Sequence, residues 1–166
     1  MKKKKRIIII NGSGTVGKDT FVDFCRPYAN ITNVSSVDKI KEAASILGWN
    51  GTKTEKCRKF LSDLKLLSTE FNNFPYEYIK NCIDKFKEDN SSYTMFIHIR
   101  EPEEIERVKK DFGCVTLLIL NPNKETITSN MADANVENYE YDYVVHNDGD
   151  LDDLKRKAIH FINSIE

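Results

Sequence analysis

Two hydrophobic patterns alternate along this chain: short runs that are apolar at nearly every position, and longer stretches where apolar residues return every three or four places. The first run, Ile7 to Ile10, has no polar alternation, as a strand covered on both faces of a parallel sheet would have none. Ile31–Ser36, Tyr93–Ile99, Cys114–Leu120 and Asp142–His146 complete five expected strands. Between them the helical spacing predicts a helix carrying Phe21, Cys25 and Tyr28, and one carrying Ile40, Ala43, Ala44 and Leu47 that stops at Gly48. A longer helix follows, opened by Thr52 with Glu55 as a capping box and striped by Cys57, Phe60, Leu61, Leu64, Leu67 and Phe71. Pro75 opens a helix with Ile79, Cys82, Ile83 and Phe86, and Pro102 opens one with Ile105, Val108 and Phe112. Leu151, Leu154, Ala158, Phe161 and Ile165 mark the last.

Strands alternating with helices predict an open α/β sheet flanked on both faces, with ligands beyond the carboxyl ends of the strands. The stretch Asn121 to Tyr141 shows no apolar periodicity, and a loop of that length in a small domain points to a function or to motion.

Composition narrows the partners. A chain of 166 residues that is 40% hydrophobic suits one domain over 1–166. Lys and Arg number 25 against 26 Asp and Glu, so no global charge favours nucleic acid or an acidic membrane, and an anion site must be local. Cys25, Cys57, Cys82 and Cys114 form no C-x-x-C pair and read as free thiols of a reducing compartment. The run after the N-terminal lysines is too short for a leader and no stretch is long enough to span a membrane, so a soluble cytoplasmic protein, monomer or homodimer, is expected.

The chemistry is announced by Gly12-Ser13-Gly14-Thr15-Val16-Gly17-Lys18, which fits G-x-x-x-x-G-K, the Walker A pattern, between a buried strand and a helix. Glycines let backbone amides turn inward around phosphate oxygens, the helix N-terminus adds its positive end, and Lys18 brings a point charge to the outer phosphates. The expected ligand is a nucleoside triphosphate. The hydroxyl that commonly follows the lysine as a magnesium ligand stands one place later, at Thr20, with Asp19 between. Asp19 either reaches magnesium through water or complements the dipole of the first helical turn.

Gly-Lys-Asp-Thr resembles the loop of P-loop small-molecule kinases, especially deoxynucleoside monophosphate kinases. Two further segments match that family. "HIREPEEIERVKKDFG" resembles its Asp-x-Arg-x-x-x-Glu segment at Arg100, Pro102 and Glu104, with His98 at the aspartate. The tail "YDYVVHNDGDLDDL" resembles its final strand, Asn-x-Gly and helix.

The resemblance implies a three-layer P-loop fold of the nucleoside monophosphate kinase type, with ATP and Mg²⁺ as cofactors and a nucleotide or other small-molecule phosphate acceptor as partner. It implies an acceptor-binding helical region over about 37–90, where "SSVDKIKEAA" places Asp38 and Lys41 to orient the acceptor and Arg58 to clamp its phosphate. Arg100 would bridge the transferred phosphoryl group, or else pair with Glu103 or Glu104. Asn147 and Gly149 would border the base, or form a plain turn before Asp150 as helix cap. The loop over about 121–141 takes the place of a lid, with Lys124, Asp133 and Asn135 as its polar candidates.

Competing readings share the loop. A GTPase needs Asn-Lys-x-Asp, and Asn123-Lys124-Glu125-Thr126 lacks the aspartate. Phosphomevalonate kinases share a Gly-Lys-Asp loop, so a non-nucleotide acceptor stays open. So does a sensor that binds ATP without transferring phosphate, because His98 replaces a carboxylate.

Overall fold

The computed structural model describes residues 4–124 and 135–165. Of the lid-like loop, residues 125–134, Asp133 among them, lie outside the described residues, as do Glu125 and Thr126 of the near-miss guanine motif. The elements run β1 (Arg6–Asn11), α1 (Lys18–Cys25) continued by a 3-10 turn at Arg26–Tyr28, β2 (Ile31–Ser35), α2 (Asp38–Ile46), α3 (Glu55–Asn72), α4 (Phe74–Glu88), β3 (Thr94–His98), α5 (Pro102–Phe112), β4 (Val115–Leu120), β5 (Tyr143–His146) and α6 (Leu151–Ser164).

All five strands are parallel, in the order β2-β3-β1-β4-β5. β1 is central, with Ile8 level with Phe96 on one side and Val115 on the other. The alternation of its isoleucines divides the core. Ile8 and Ile10 pack with Phe21 and Val22 of α1 and Leu154, Phe161 and Ile162 of α6. Ile7 and Ile9 pack on the other face with Ile79 and Ile83 of α4 and Ile105 and Val108 of α5. Apolar burial on both faces is what an unbroken β-branched run specifies. Because β1 and β3 end side by side at one edge of these layers, the loops following them share a mouth.

α3 departs from the sequence reading. Its cap is Thr54, whose hydroxyl accepts from the Cys57 amide at 3.2 Å; Thr52 instead accepts the Trp49 indole N–H through its carbonyl at 2.9 Å. Its apolar stripe joins neither core cluster: Leu67 is 61% and Phe71 86% exposed, and the buried residue of the helix is Lys65. The four cysteines are free. No helix among the described residues is long and apolar enough to cross a membrane.

Candidate functional site

The loop between β1 and α1 is shaped by its backbone. Gly12 and Gly17 take φ of 152° and 102°, and Thr15 takes 67°. A Cβ on Gly12 would stand 2.6 Å from the Ile119 carbonyl oxygen, and one on Gly17 2.7 Å from the Asn147 amide nitrogen, so glycine is required at both. With Gly17 as N-cap, α1 has no side chain capping its first turn, which leaves the helix end suited to an anion. The Lys18 ammonium lies along the loop, donating to the carbonyls of Gly12 and Ser13.

Asn11, which the strand pattern alone did not single out, holds this loop from below. It is fully buried, accepts the Gly12 N–H at 2.8 Å, and donates to the Arg100 carbonyl at 3.1 Å and the Tyr141 hydroxyl at 2.8 Å. Tyr141 passes its own O–H to the Val136 carbonyl at 2.6 Å. One side chain thus ties the start of the phosphate loop to the segment carrying Arg100 and to the returning end of the lid-like loop.

A cavity of about 550 Å³ opens over the loop. Its walls include Gly14 to Thr20, then Asp38 and Lys41 of α2, Arg58 of α3, and His98 and Arg100 at the end of β3. The structure therefore brings Lys18, Asp19, Thr20, Asp38, Lys41, Arg58 and Arg100 around one space. Gly12 and Ser13 are buried beneath it. Asn147 and Gly149 stand outside the lining: Asn147 donates to the Val16 carbonyl at 2.9 Å, bracing the loop from behind, and Gly149 precedes Asp150, whose carboxylate caps α6 through the Asp153 amide at 2.8 Å. Asp38 accepts the Ser35 N–H at 2.8 Å, fixing the β2-to-α2 turn.

The cavity wall also holds Trp49, Ser62 and Lys65, which sequence reading passed over. Trp49, the chain's single tryptophan, lines the cavity with its indole held by Thr52. Arg58, Leu61, Ser62 and Lys65 line it from α3, a helical stripe hidden by the apolar one.

Lys65 is 8% exposed and donates to Ser36 Oγ at 3.2 Å, Glu101 at 2.6 Å and Glu104 at 2.8 Å. Burial alone would lower its pKa; the two carboxylates more than reverse that. Burial also raises both acids, yet Lys65 draws Glu101 below its ordinary value, whereas Glu104, deeper and beside Glu101, is pushed up to about 7. Glu104 Oε1 is buried without a hydrogen-bond partner among the described residues, which further favours its neutral form. Glu104, one of the two partners considered for Arg100, is thus committed to Lys65.

His98 donates through Nε2 to the Asn33 side-chain oxygen at 2.9 Å, and burial lowers its pKa to about 4. Its uncharged form therefore dominates near pH 7. No cluster of three acidic, histidine or cysteine side chains that could hold a metal occurs among the described residues. Asp19 and Thr20, both on the cavity wall, still suit a magnesium ion, which keeps several waters and takes only one or two protein ligands beside phosphate oxygens.

The fold is one that kinases carry. Shikimate kinase from Aquifex aeolicus superposes with a TM-score of 0.56 over 95% of this chain and 96% of its own, at 11% identity. A gluconokinase from Sinorhizobium meliloti gives 0.54 over 98% and 94%, at 10% identity. The protein TT1252 from Thermus thermophilus gives 0.55 over 99% and 100%, at 17% identity. No protein-family model matches the sequence, and no curated protein matches it. Identities this low show a shared fold alone: an α/β sheet of five parallel strands with helices packed on both faces.

Proposed function

We propose that the chain is a magnesium-dependent kinase of the deoxynucleoside monophosphate kinase type, moving the γ-phosphoryl group of ATP to a nucleoside or deoxynucleoside monophosphate. The observation that carries this reading is that one cavity is lined both by the phosphate loop and by Lys41, Arg58 and Arg100. Cations on both walls fit a substrate pair that is phosphorylated at both ends.

In this reading Gly12 to Gly17 wrap the triphosphate with backbone amides, and Lys18 holds its outer phosphates. Magnesium, held by Thr20 and by Asp19 directly or through water, supplies charge neutralisation on the phosphate oxygens when bound. Arg100 stabilises charge developing on the phosphoryl group in flight, Arg58 takes the acceptor phosphate in a bidentate fork, and Asp38 with Lys41 orients the acceptor. Asn147 and Gly149, behind the loop, border the adenine.

A second reading keeps the donor site and changes the acceptor to a non-nucleotide anion, such as a phosphorylated or carboxylated metabolite. Shikimate kinase and gluconokinase, by their names, act on acceptors without a base, and the cationic wall would hold any such anion equally well. A mass-spectrometric screen with magnesium-ATP against ribo- and deoxyribonucleoside monophosphates, phosphomevalonate, shikimate and gluconate separates the two. A nucleoside diphosphate product supports the first reading, and a phosphorylated non-nucleotide the second. ATP bound with no product from any acceptor overturns both in favour of a sensor.

A further inference from the structure

The cations around the cavity hold a nucleotide and a phosphorylated or carboxylated metabolite alike; what tells the two apart is a surface without charge. Trp49, the chain's single tryptophan, supplies one. A side chain of that size ordinarily goes to a core or an interface. Trp49 belongs to neither core cluster, pairs with no other ring among the described residues, and stands half-buried in the cavity wall.

Its position is nonetheless fixed through both backbone and ring. At the end of α2 the Gly48 amide donates to the Ser45 carbonyl at 3.1 Å and the Trp49 amide to the Ala44 carbonyl at 2.9 Å, with Gly48 left-handed at φ 98°. The indole N–H donates to the Thr52 carbonyl at 2.9 Å. That engages the ring's one polar atom within the chain, so what Trp49 offers the cavity is apolar π surface. Thr52 also contacts Cys57 Sγ through its hydroxyl at 3.2 Å, which ties the indole to the first turn of α3, one residue before Arg58. Leu61, three places beyond Arg58 and on the same helix face, lines the cavity too. One stretch of chain therefore presents a guanidinium together with a rigid aromatic and apolar surface. A nucleoside monophosphate matches both, with an anion at one end and a flat π system at the other.

Resting on the nucleotide-kinase reading above, we infer that the indole of Trp49 is the surface on which the acceptor's base stacks, and so the residue that selects a nucleoside monophosphate over an acceptor without a base. Because the ring is held before any ligand arrives, little conformational freedom is lost on stacking. Every base has a π face, so Trp49 sets the class of acceptor rather than the base.

Selective excitation of the one tryptophan makes its emission a direct reading of this contact. With magnesium present, nucleoside monophosphates are expected to quench it. Ribose 5-phosphate, which keeps the sugar and phosphate but lacks the base, is expected to leave it unchanged. In steady-state assays with magnesium-ATP, Trp49→Leu should raise the KM for the nucleoside monophosphate by roughly 5- to 150-fold, the span that base–aromatic stacking covers. The KM for ATP should stay put, and Trp49→Phe, which keeps a ring but not the bond to Thr52, should recover most of the loss. In an enzyme that phosphorylates nucleoside monophosphates, three results overturn the stacking role and leave the kinase reading standing: equal quenching by ribose 5-phosphate, quenching by ATP alone, or an acceptor KM that Trp49→Leu does not move. Equal losses in the Leu and Phe variants also overturn it, by assigning Trp49 to bracing the turn through Thr52. A protein that neither binds nor phosphorylates any nucleoside monophosphate overturns both.

Discussion

Across the cavity the two walls are built on different plans. The phosphate loop rises from β1, where Ile8 to Ile10 are fully buried, and its conformation is held by left-handed glycines, by Asn11 beneath and by Asn147 behind. The facing wall is carried by α3, which has no share in either core cluster and is fastened on this side by one buried ammonium, Lys65, to Ser36, Glu101 and Glu104. One wall is backbone fixed by packing. The other is a row of side chains held largely by charge.

Removing the Lys65 charge should separate the walls most sharply. Lys65→Met leaves the partly exposed Glu101 carboxylate and the deeper Glu104 carboxyl without their cation and is expected to cost about 2–3 kcal/mol in chemical denaturation. Nucleotide binding should survive in the folded fraction. Equal loss of ATP affinity and acceptor affinity would show that the walls are not independent. Adding Glu104→Gln should recover part of the cost.

Asn11→Leu probes the opposite wall. It leaves the Gly12 N–H and the Arg100 carbonyl without their buried partner, for roughly 2–3 kcal/mol of stability. ATP affinity should fall more than acceptor affinity, and titration calorimetry would show the reverse order if the comparison is wrong. Thr54→Ala, which removes the cap of α3, should cost about 1 kcal/mol and move the acceptor KM while sparing ATP.

The smallest effects are in pH. His98 is held at about 4 against an ordinary 6.5, so the folded state binds fewer protons than the unfolded between those values. Its contribution is complete above 6.5 and is lost as pH falls toward 4. Glu104, raised from 4.5 to about 7, acts oppositely: its contribution is complete below 4.5 and is lost as pH rises through 7. Melting curves of His98→Asn should lose the acid-side slope, and those of Glu104→Gln the slope between 4.5 and 7.

Legibility in the sequence follows the same division. The three inner strands were readable to within a residue or two because burial on both faces writes an unbroken apolar run, as at Ile7 to Ile10 and Val115 to Leu120. The phosphate loop was readable because its geometry demands glycine at fixed local spacing. Lys65 was not, since its partners lie 29 to 39 residues away and nothing marks it among the other lysines. Asn11 was hidden as the polar end of an apolar strand. The stripe of α3 was legible as a helix face, but periodicity does not say whether such a face joins a core. The cap shifted from Thr52 to Thr54 because the helix begins at Glu55, so the hydroxyl just before it, not the one three places ahead of the glutamate, meets the Cys57 amide.

The central claim is that the Lys18 loop acts on a phosphate passed across the cavity. The most direct test is the rate of ADP formation by wild type and Lys18→Ala, with magnesium-ATP and the acceptor identified by the screen. The account predicts a fall of about 10²–10³-fold in kcat with the melting temperature unchanged. Full turnover by Lys18→Ala would contradict it.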